Sequence, residues 1–143
     1  MKISTKGRYA LRLMMDLALN CANEPIPLKE ISGRQDISEK YLEQIIAPIG
    51  KAGLVKSIRG SQGGYYLSLP AKDITVGMIL RITEGSLSPV DCLDSETCTN
   101  TSSCVTINVW KKLKEAIENV VDNITLQDLV DDSNSKNIID FCI

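Results

Sequence analysis

Three cysteines stand at regular intervals in one polar stretch of the chain, at Cys92, Cys98 and Cys104. A loop with this spacing can fold three thiolates around one soft metal centre, and thiolates are the ligands that hold iron–sulfur clusters. The chain contains no histidine, which excludes imidazole ligands and every nucleophile that depends on a histidine base. The pattern therefore predicts an iron–sulfur site in a protein that is not an enzyme. A zinc site, and thiols that are unliganded or only redox-reactive, are the alternatives.

Length and composition limit what can surround these thiols. The chain has 143 residues, of which 43% are hydrophobic, so one domain with one core is expected without disulfides. No apolar run approaches the ~20 residues that cross a bilayer, and the first residues lack the apolar stretch of a signal peptide. The five cysteines are an odd number, which does not fit a disulfide framework. We expect a cytoplasmic protein without membrane contact.

Charge is distributed unevenly between the two halves of the chain. Residues 1–70 carry ten Lys and Arg against six Asp and Glu, whereas residues 71–143 carry six against twelve. The overall charge of -2 therefore hides an amino-terminal half suited to phosphate.

The hydrophobic spacing predicts helices in this basic half. A first helix is expected over about 5–22, a second over 28–35, and a third after Ser38, whose hydroxyl can cap it. Pro48 is expected to kink or end the third helix near its last turn. A helix, a short turn and a second helix over about 28–53 form the layout of a DNA-reading unit.

Two β-prone runs follow, 54–59 and 65–69, and the glycines between them permit a hairpin turn. This hairpin is expected to be a wing over 54–69. Thr75 can then cap a short helix that Gly85 ends. The fold class predicted is mainly α with a small β-hairpin wing, a winged helix-turn-helix domain over 1–85.

The second half begins with a polar loop over 86–104 that holds the three cysteines. A dimerisation helix and a carboxyl-terminal tail are expected over 105–143. The expected seam of the long helix repeats in steps of three and four at Trp110, Leu113, Ile117, Val120 and Ile124, a narrow stripe that favours association between subunits. Thr125 with Asp128 resembles a capping box for a last short helix, followed by a polar tail from Asp131 to Lys136.

The polar face of the third helix and the tip of the wing carry the side chains that can read a duplex. Gln44 can pair with adenine and Glu43 can accept from cytosine, while Lys40 and Lys56 suit phosphates. Arg59 at the wing tip can enter a narrow minor groove. The alternative is a merely solvated helix face beside a stray ribbon. The predicted DNA-binding residues are Ser38, Lys40, Tyr41, Glu43, Gln44, Lys56, Arg59, Gly60, Ser61 and Gln62.

Several segments carry a resemblance to a known family. They are MKISTKGRYAL at 1–11, YLEQ at 41–44, GLVKSIRG at 53–60, GGY at 63–65 and NITL at 123–126. Over nearly its whole length the chain resembles the bacterial Rrf2 regulators, in both their IscR-like iron–sulfur branch and their CymR-like cysteine-metabolism branch. The resemblance implies a homodimeric winged-helix repressor or activator on a pseudopalindromic double-stranded DNA operator, with Tyr41, Glu43, Gln44 and Arg59 at positions that touch DNA.

The cysteine spacing matches that of the iron–sulfur branch, with one departure. Ile107 stands where that branch can carry a histidine ligand. The fourth ligand is therefore open, and so is the cluster type, although we favour 2Fe–2S over 4Fe–4S. Candidates for the fourth ligand are Asp91, Asp94, Glu96, Asn108, a thiol from solution, or a side chain of the other subunit's first helix.

The last residues, Asp140-Phe141-Cys142-Ile143, resemble the isoleucine-terminated tail of the CymR-like branch. That tail is similar to the one by which serine acetyltransferase enters the active site of O-acetylserine thiol-lyase, which implies that Phe141 and Ile143 bind this enzyme. The alternative is a tail packed on its own domain or on its dimer mate. Three hypotheses follow. The first is a regulator that senses through a cluster, and the second is a CymR-like repressor of cysteine metabolism without a cluster, controlled by the lyase. In a third, the thiols regulate a sulfur enzyme directly. Cys21 is expected in the core.

Overall fold

The computed structural model describes residues 2–20, 24–95, 98–100 and 102–141, with the backbone alone for 138–141. In these residues the chain forms six α-helices, one antiparallel hairpin and two short 3-10 helices. The α-helices are α1 (Thr5–Asn20), α2 (Leu28–Gln35), α3 (Glu39–Lys51), α4 (Val76–Glu84), α5 (Ile107–Val121) and α6 (Leu126–Phe141); the strands are β1 (Val55–Ile58) and β2 (Gly64–Leu67); the 3-10 helices are Ala71–Asp73 and Asp91–Leu93. The predicted fold class, mainly α with a small hairpin wing, is confirmed.

The core lies between α1, the α2–α3 pair and α4. On α1 the fully buried side chains recur at helical spacing, which places one apolar stripe against the other helices. The start of α6 joins the same core through Leu126, whose exposure is 0%. The largest fully buried apolar side chains in this core are Leu13, Met14, Leu17, Ile31, Leu42, Ile45, Ile49, Ile74, Ile79 and Leu126.

The connection between α2 and α3 is as tight as a DNA-reading unit requires. Asp36 adopts a left-handed conformation with φ of 53°, which a short polar side chain tolerates. Ser38 caps α3 as predicted, since its hydroxyl accepts the amide of Tyr41 at 3.3 Å. The helix ends at Lys51, within one turn of Pro48, and Gly53 with φ of 84° then leads the chain into β1.

The hairpin is braced against the body of the domain. Its register pairs Val55 with Leu67 and Ile58 with Gly64, so both strands are shorter than predicted. Ile26 adds a bridge to Tyr65, with both N–H···O distances at 2.8 Å. A Cβ on Gly64 would lie 2.4 Å from the carbonyl carbon of Ile26, so only glycine permits this approach.

The carboxyl-terminal half returns to α4. Thr75 caps α4 by accepting the amide of Met78 at 3.2 Å, and Gly85 ends the helix, both as predicted. An isolated β-bridge joins Thr75 to Thr125, with one backbone hydrogen bond of 2.9 Å on each side of it. Arg81 and Asp122 add a two-pronged ion pair between α4 and the end of α5, at 2.5 and 2.9 Å.

Two expectations for this half were wrong in extent. The predicted capping box exists, with Thr125 N–H donating to Asp128 at 2.8 Å and Asp128 N–H donating to the Thr125 hydroxyl at 3.1 Å. The helix that it starts, however, continues to Phe141 and includes the stretch expected to be a polar tail. The first turns of α6 pack on α1. The polar residues that follow can therefore continue the helix as a surface exposed to solvent. The α5 helix ends at Val121, so Ile124 lies beyond it.

No helix in the described part of the chain is long and apolar enough to span a bilayer.

Candidate nucleic-acid interface

The polar face of α3 is presented to solvent over its first two turns. Its apolar stripe is buried, which fixes the rotation of the helix about its axis. Tyr41 is half-buried, and the edge of its ring meets Tyr9 on α1 with the centroids 5.8 Å apart. The exposed side chains of this face are Ser38, Glu39, Lys40, Glu43 and Gln44.

The tip of the wing, between β1 and β2, is also exposed, and the wing itself begins shortly after the end of α3. The Leu54 amide donates to the carbonyl of Ile49 at 3.2 Å, which ties the base of the wing to the last turn of α3. Gly60 has φ of 121°, a conformation that L side chains rarely adopt. Ile58 is half exposed and was not among the predicted site residues. The predicted wing residues Lys56, Arg59, Gly60, Ser61 and Gln62 all face solvent.

A buried carboxylate between α1 and α2 was not predicted from the sequence. Asp16 on α1 is only 1% exposed. Arg34 donates to its two oxygens, with the shortest N···O distance at 2.7 Å, and Asn20 adds a contact at 3.4 Å. The hydrogen bond to Asp16 raises the pKa of Arg34 above its ordinary value. The available signal was the position of Asp16 between buried residues of α1, where a carboxylate requires a cation.

The three cysteines lie in the connection between α4 and α5, each half-buried. Among the residues that the structure describes, no three Cys, Asp or Glu side chains are grouped closely enough to hold one metal ion. A hydrogen bond with the Thr106 hydroxyl, at 3.4 Å, lowers the pKa of the Cys104 thiol and favours the thiolate. Three thiols are chemically suited to an iron–sulfur centre, but in the described residues they do not lie close enough together to bind one.

The candidates for a fourth ligand differ in their hydrogen bonds and in their exposure to solvent. Asp94 accepts from the Ser86 hydroxyl and pairs with Lys114 on α5 at 3.1 Å, and these hydrogen bonds lower its pKa. Asp91 and Asn108 are exposed, and Glu96 lies outside the described residues. Cys21 and Ile143 also lie outside them, and of Phe141 only the backbone is described.

The α5 helix leaves much of its apolar face uncovered. Val109, Leu113 and Val120 are 51%, 44% and 58% exposed. Leu113 and Val120 also line an apolar groove of about 420 Å³ between α4, α5 and the amino terminus. Its lining consists of Ile3, Leu80, Leu87, Leu113, Ala116, Ile117, Val120 and Val121. Only part of the predicted seam is fully exposed to solvent, since Trp110 and Ile117 are half-buried.

Comparison with known proteins assigns this arrangement to a family. The model of the Rrf2 family, described as iron-dependent transcriptional regulators, matches residues 3–132. The chain belongs to the Rrf2 family. Its relatives include the transcriptional regulator IscR of Pectobacterium atrosepticum, 40% identical over 140 residues that cover 98% of this chain and 85% of that protein.

Two solved structures resemble this Rrf2-family chain along nearly its whole length. The structure of CymR, the global cysteine regulator of B. subtilis, matches with a TM-score of 0.76 and 43% identity, covering 92% of this chain and 97% of that one. IscR of T. potens matches with a TM-score of 0.76 and 47% identity, covering 93% and 88%. The chain is therefore a helix-turn-helix transcriptional regulator of the Rrf2 family and not an enzyme. The resemblance seen in the sequence is confirmed.

Proposed function

We propose that this Rrf2-family chain acts as a homodimer that binds a pseudopalindromic operator with sequence specificity. The observation that carries the proposal is the exposed polar face of α3 on a helix whose apolar side is fixed in the core. A recognition helix presents its first turns to base edges, where each base pair offers a distinct pattern of donors and acceptors.

The roles proposed for the side chains follow from their chemistry. Gln44 pairs with adenine, and Glu43 accepts from cytosine while its charge disfavours other partners. Lys40 and Lys56 bind phosphates, and Ser38 and Tyr41 contact the backbone or bases beside them. At the wing tip, Gly60, Ser61 and Gln62 bring the chain close to the duplex and Arg59 enters the minor groove.

Dimerisation is proposed to occur along α5. A helix that leaves Val109, Leu113 and Val120 this exposed beside an apolar groove presents a surface typical of protein–protein contact. Two copies related by a twofold axis would cover one another's face and place two α3 helices on successive half-sites of the operator.

Arg59→Ala tests the wing. On a duplex selected from a random pool by the unchanged protein, we expect affinity to fall about 5- to 150-fold, because a guanidinium is lost from the minor groove. The slope of log affinity against log salt should also shrink by about one. Both quantities are measured by fluorescence anisotropy over a salt series.

Lys136→Ala serves as the control, since Lys136 is an exposed cation on α6 with no proposed DNA contact. It should leave both the affinity and the salt slope unchanged. If the Arg59→Ala protein binds the selected duplex as tightly as the parent, the proposed contact between the wing and DNA is refuted.

For the cysteine loop, we propose an iron–sulfur cluster held by Cys92, Cys98 and Cys104, with 2Fe–2S favoured over 4Fe–4S. The donor chemistry and the relatives named IscR support this. When bound, such a cluster supplies a centre whose ligation responds to iron supply and oxidation. Regulated genes would then belong to iron–sulfur cluster or cysteine metabolism.

Protein purified without oxygen is expected to be brown, and Cys92→Ala is expected to reduce its bound iron to background because one of three protein thiolates is lost. Absorption spectra and iron analysis measure both. Cys142→Ala, which removes a thiol outside the loop, should retain the iron. A colourless parent protein without iron refutes the cluster.

That refutation would favour the second function, a CymR-like repressor of cysteine metabolism without a cluster. Its support is the similarity to the cysteine regulator of B. subtilis. Control would then come from O-acetylserine thiol-lyase, which binds Phe141 and Ile143 of the tail. Deleting Ile143 should abolish co-purification with the lyase, and undiminished binding refutes the tail's role.

A further inference from the structure

Gln35 occupies a point from which the orientation of α3 can be set. It is the last residue of α2 and is followed by Asp36, the left-handed residue of the turn, and soon by Ser38, the cap of α3. A restraint on the Gln35 side chain therefore acts three residues before the cap of α3.

The Gln35 side chain is held on both sides by α1. Its Nε2 donates to Oδ2 of the buried Asp16 at 2.9 Å. Its Oε1 accepts from Nε of Arg12 at 3.1 Å, and the Gln35 backbone carbonyl accepts from the same guanidinium. Because an amide donates and accepts at once, one side chain links a buried carboxylate to a surface cation.

The same cation continues the connection to α3. The Arg12 guanidinium lies 5.3 Å from the centre of the Tyr9 ring. Tyr9 in turn meets the ring of Tyr41, in the first turn of α3, in an edge-on contact at 80°. A continuous series of contacts thus connects α2, α1 and α3, the helices on either side of the turn between α2 and α3 included.

We propose that Gln35 is a positioning residue for base recognition, which sets the angle of α3 on α1 without touching DNA itself. This inference rests on the proposed function. A helix that can rotate or tilt keeps its phosphate contacts through flexible lysines but loses the alignment that base edges demand. Loss of Gln35 should therefore reduce specific binding more than non-specific binding.

Gln35→Met keeps the length of the side chain and its helix propensity but removes both hydrogen-bonding groups. The measured quantity is the ratio of affinities for the selected duplex and for a random duplex of equal length, in one buffer and well below the melting temperature. We expect this ratio to fall about tenfold, with the random-duplex affinity unchanged. Gln35→Glu, which keeps the acceptor for Arg12 and places a second carboxylate beside Asp16, should fall in the same direction.

Gln127→Met is the matched control. Gln127 on α6 donates to Asp131 at 2.9 Å, the same length as the Gln35 bond to Asp16, at an exposed site. Its loss should leave the ratio unchanged. An unchanged ratio in both Gln35 variants, or an equal loss of affinity for both duplexes, overturns the positioning role. A parent protein that prefers no duplex instead overturns the proposed function, and this inference with it.

Discussion

An Arg34→Met protein is expected to unfold about 6–12 °C below the parent chain, a loss of about 2–3 kcal/mol in the free energy of unfolding. The reason is Asp16, which is 1% exposed and would be left buried without its cation. Removing one partner of a fully buried pair costs about 3–5 kcal/mol, and the smaller figure allows for the 36% exposure of the Arg34 side chain. Thermal and urea unfolding followed by circular dichroism measure the change.

Glu30→Gln is the control for this variant. Glu30 also pairs with Arg34, at 3.5 Å, but it is 60% exposed, so its loss should cost less than about 0.5 kcal/mol. Adding Asp16→Asn to Arg34→Met removes the buried charge and should recover part of the stability. If Arg34→Met melts with the parent, water or the neighbouring amides already satisfy Asp16, and the structural importance of the pair is refuted.

Leu113→Glu is expected to weaken the proposed dimer by about 10²- to 10⁴-fold. The substitution places a charge in the exposed apolar face of α5, and in a twofold interface it counts twice, at about 1.5–3 kcal/mol for each buried leucine. Operator binding should fall with it, because two half-sites then must be filled by separate chains. Sedimentation over a concentration series measures the association.

The fold of the variant serves as an internal check, since Leu113 is already 44% exposed and its replacement leaves the core intact. Lys111→Glu introduces the same acidic side chain on the opposite side of α5 and should leave the association unchanged. A Leu113→Glu protein that still sediments as a dimer at low concentration moves the interface away from α5.

Features set by neighbouring residues were predictable. The bounds of α2, the Ser38 and Thr75 caps, the Gly85 stop and the Thr125–Asp128 capping box depend on side chains within a few positions of one another. Such local interactions are legible in a sequence because their geometry is fixed by helix periodicity.

Features set by distant contacts were not. Asp16 reads as one more polar residue of α1 until Arg34 is brought to it from α2. The length of α6 depends on packing against α1, and the polar residues after Asp131 gave no sign of a continuing helix. The seam on α5 was assigned from its period alone, whereas α5 ends at Val121 and the chain then enters the bridge between Thr75 and Thr125.

The cysteine loop falls between these cases. The spacing of Cys92, Cys98 and Cys104 identifies the donor chemistry, because thiolates select soft metals wherever a loop can gather them. Periodicity carries no information on how a loop of this kind closes, and the structure gives no metal-binding geometry for the residues it describes.

The central claim, a homodimer that reads base sequence, is tested most directly by titrating the purified chain against its selected duplex and a random duplex of equal length while measuring the mass of each complex. We predict two chains for each selected duplex and an affinity at least about a thousandfold above that for the random one. Equal affinity for the two duplexes, or a single chain on a whole operator, would contradict the claim.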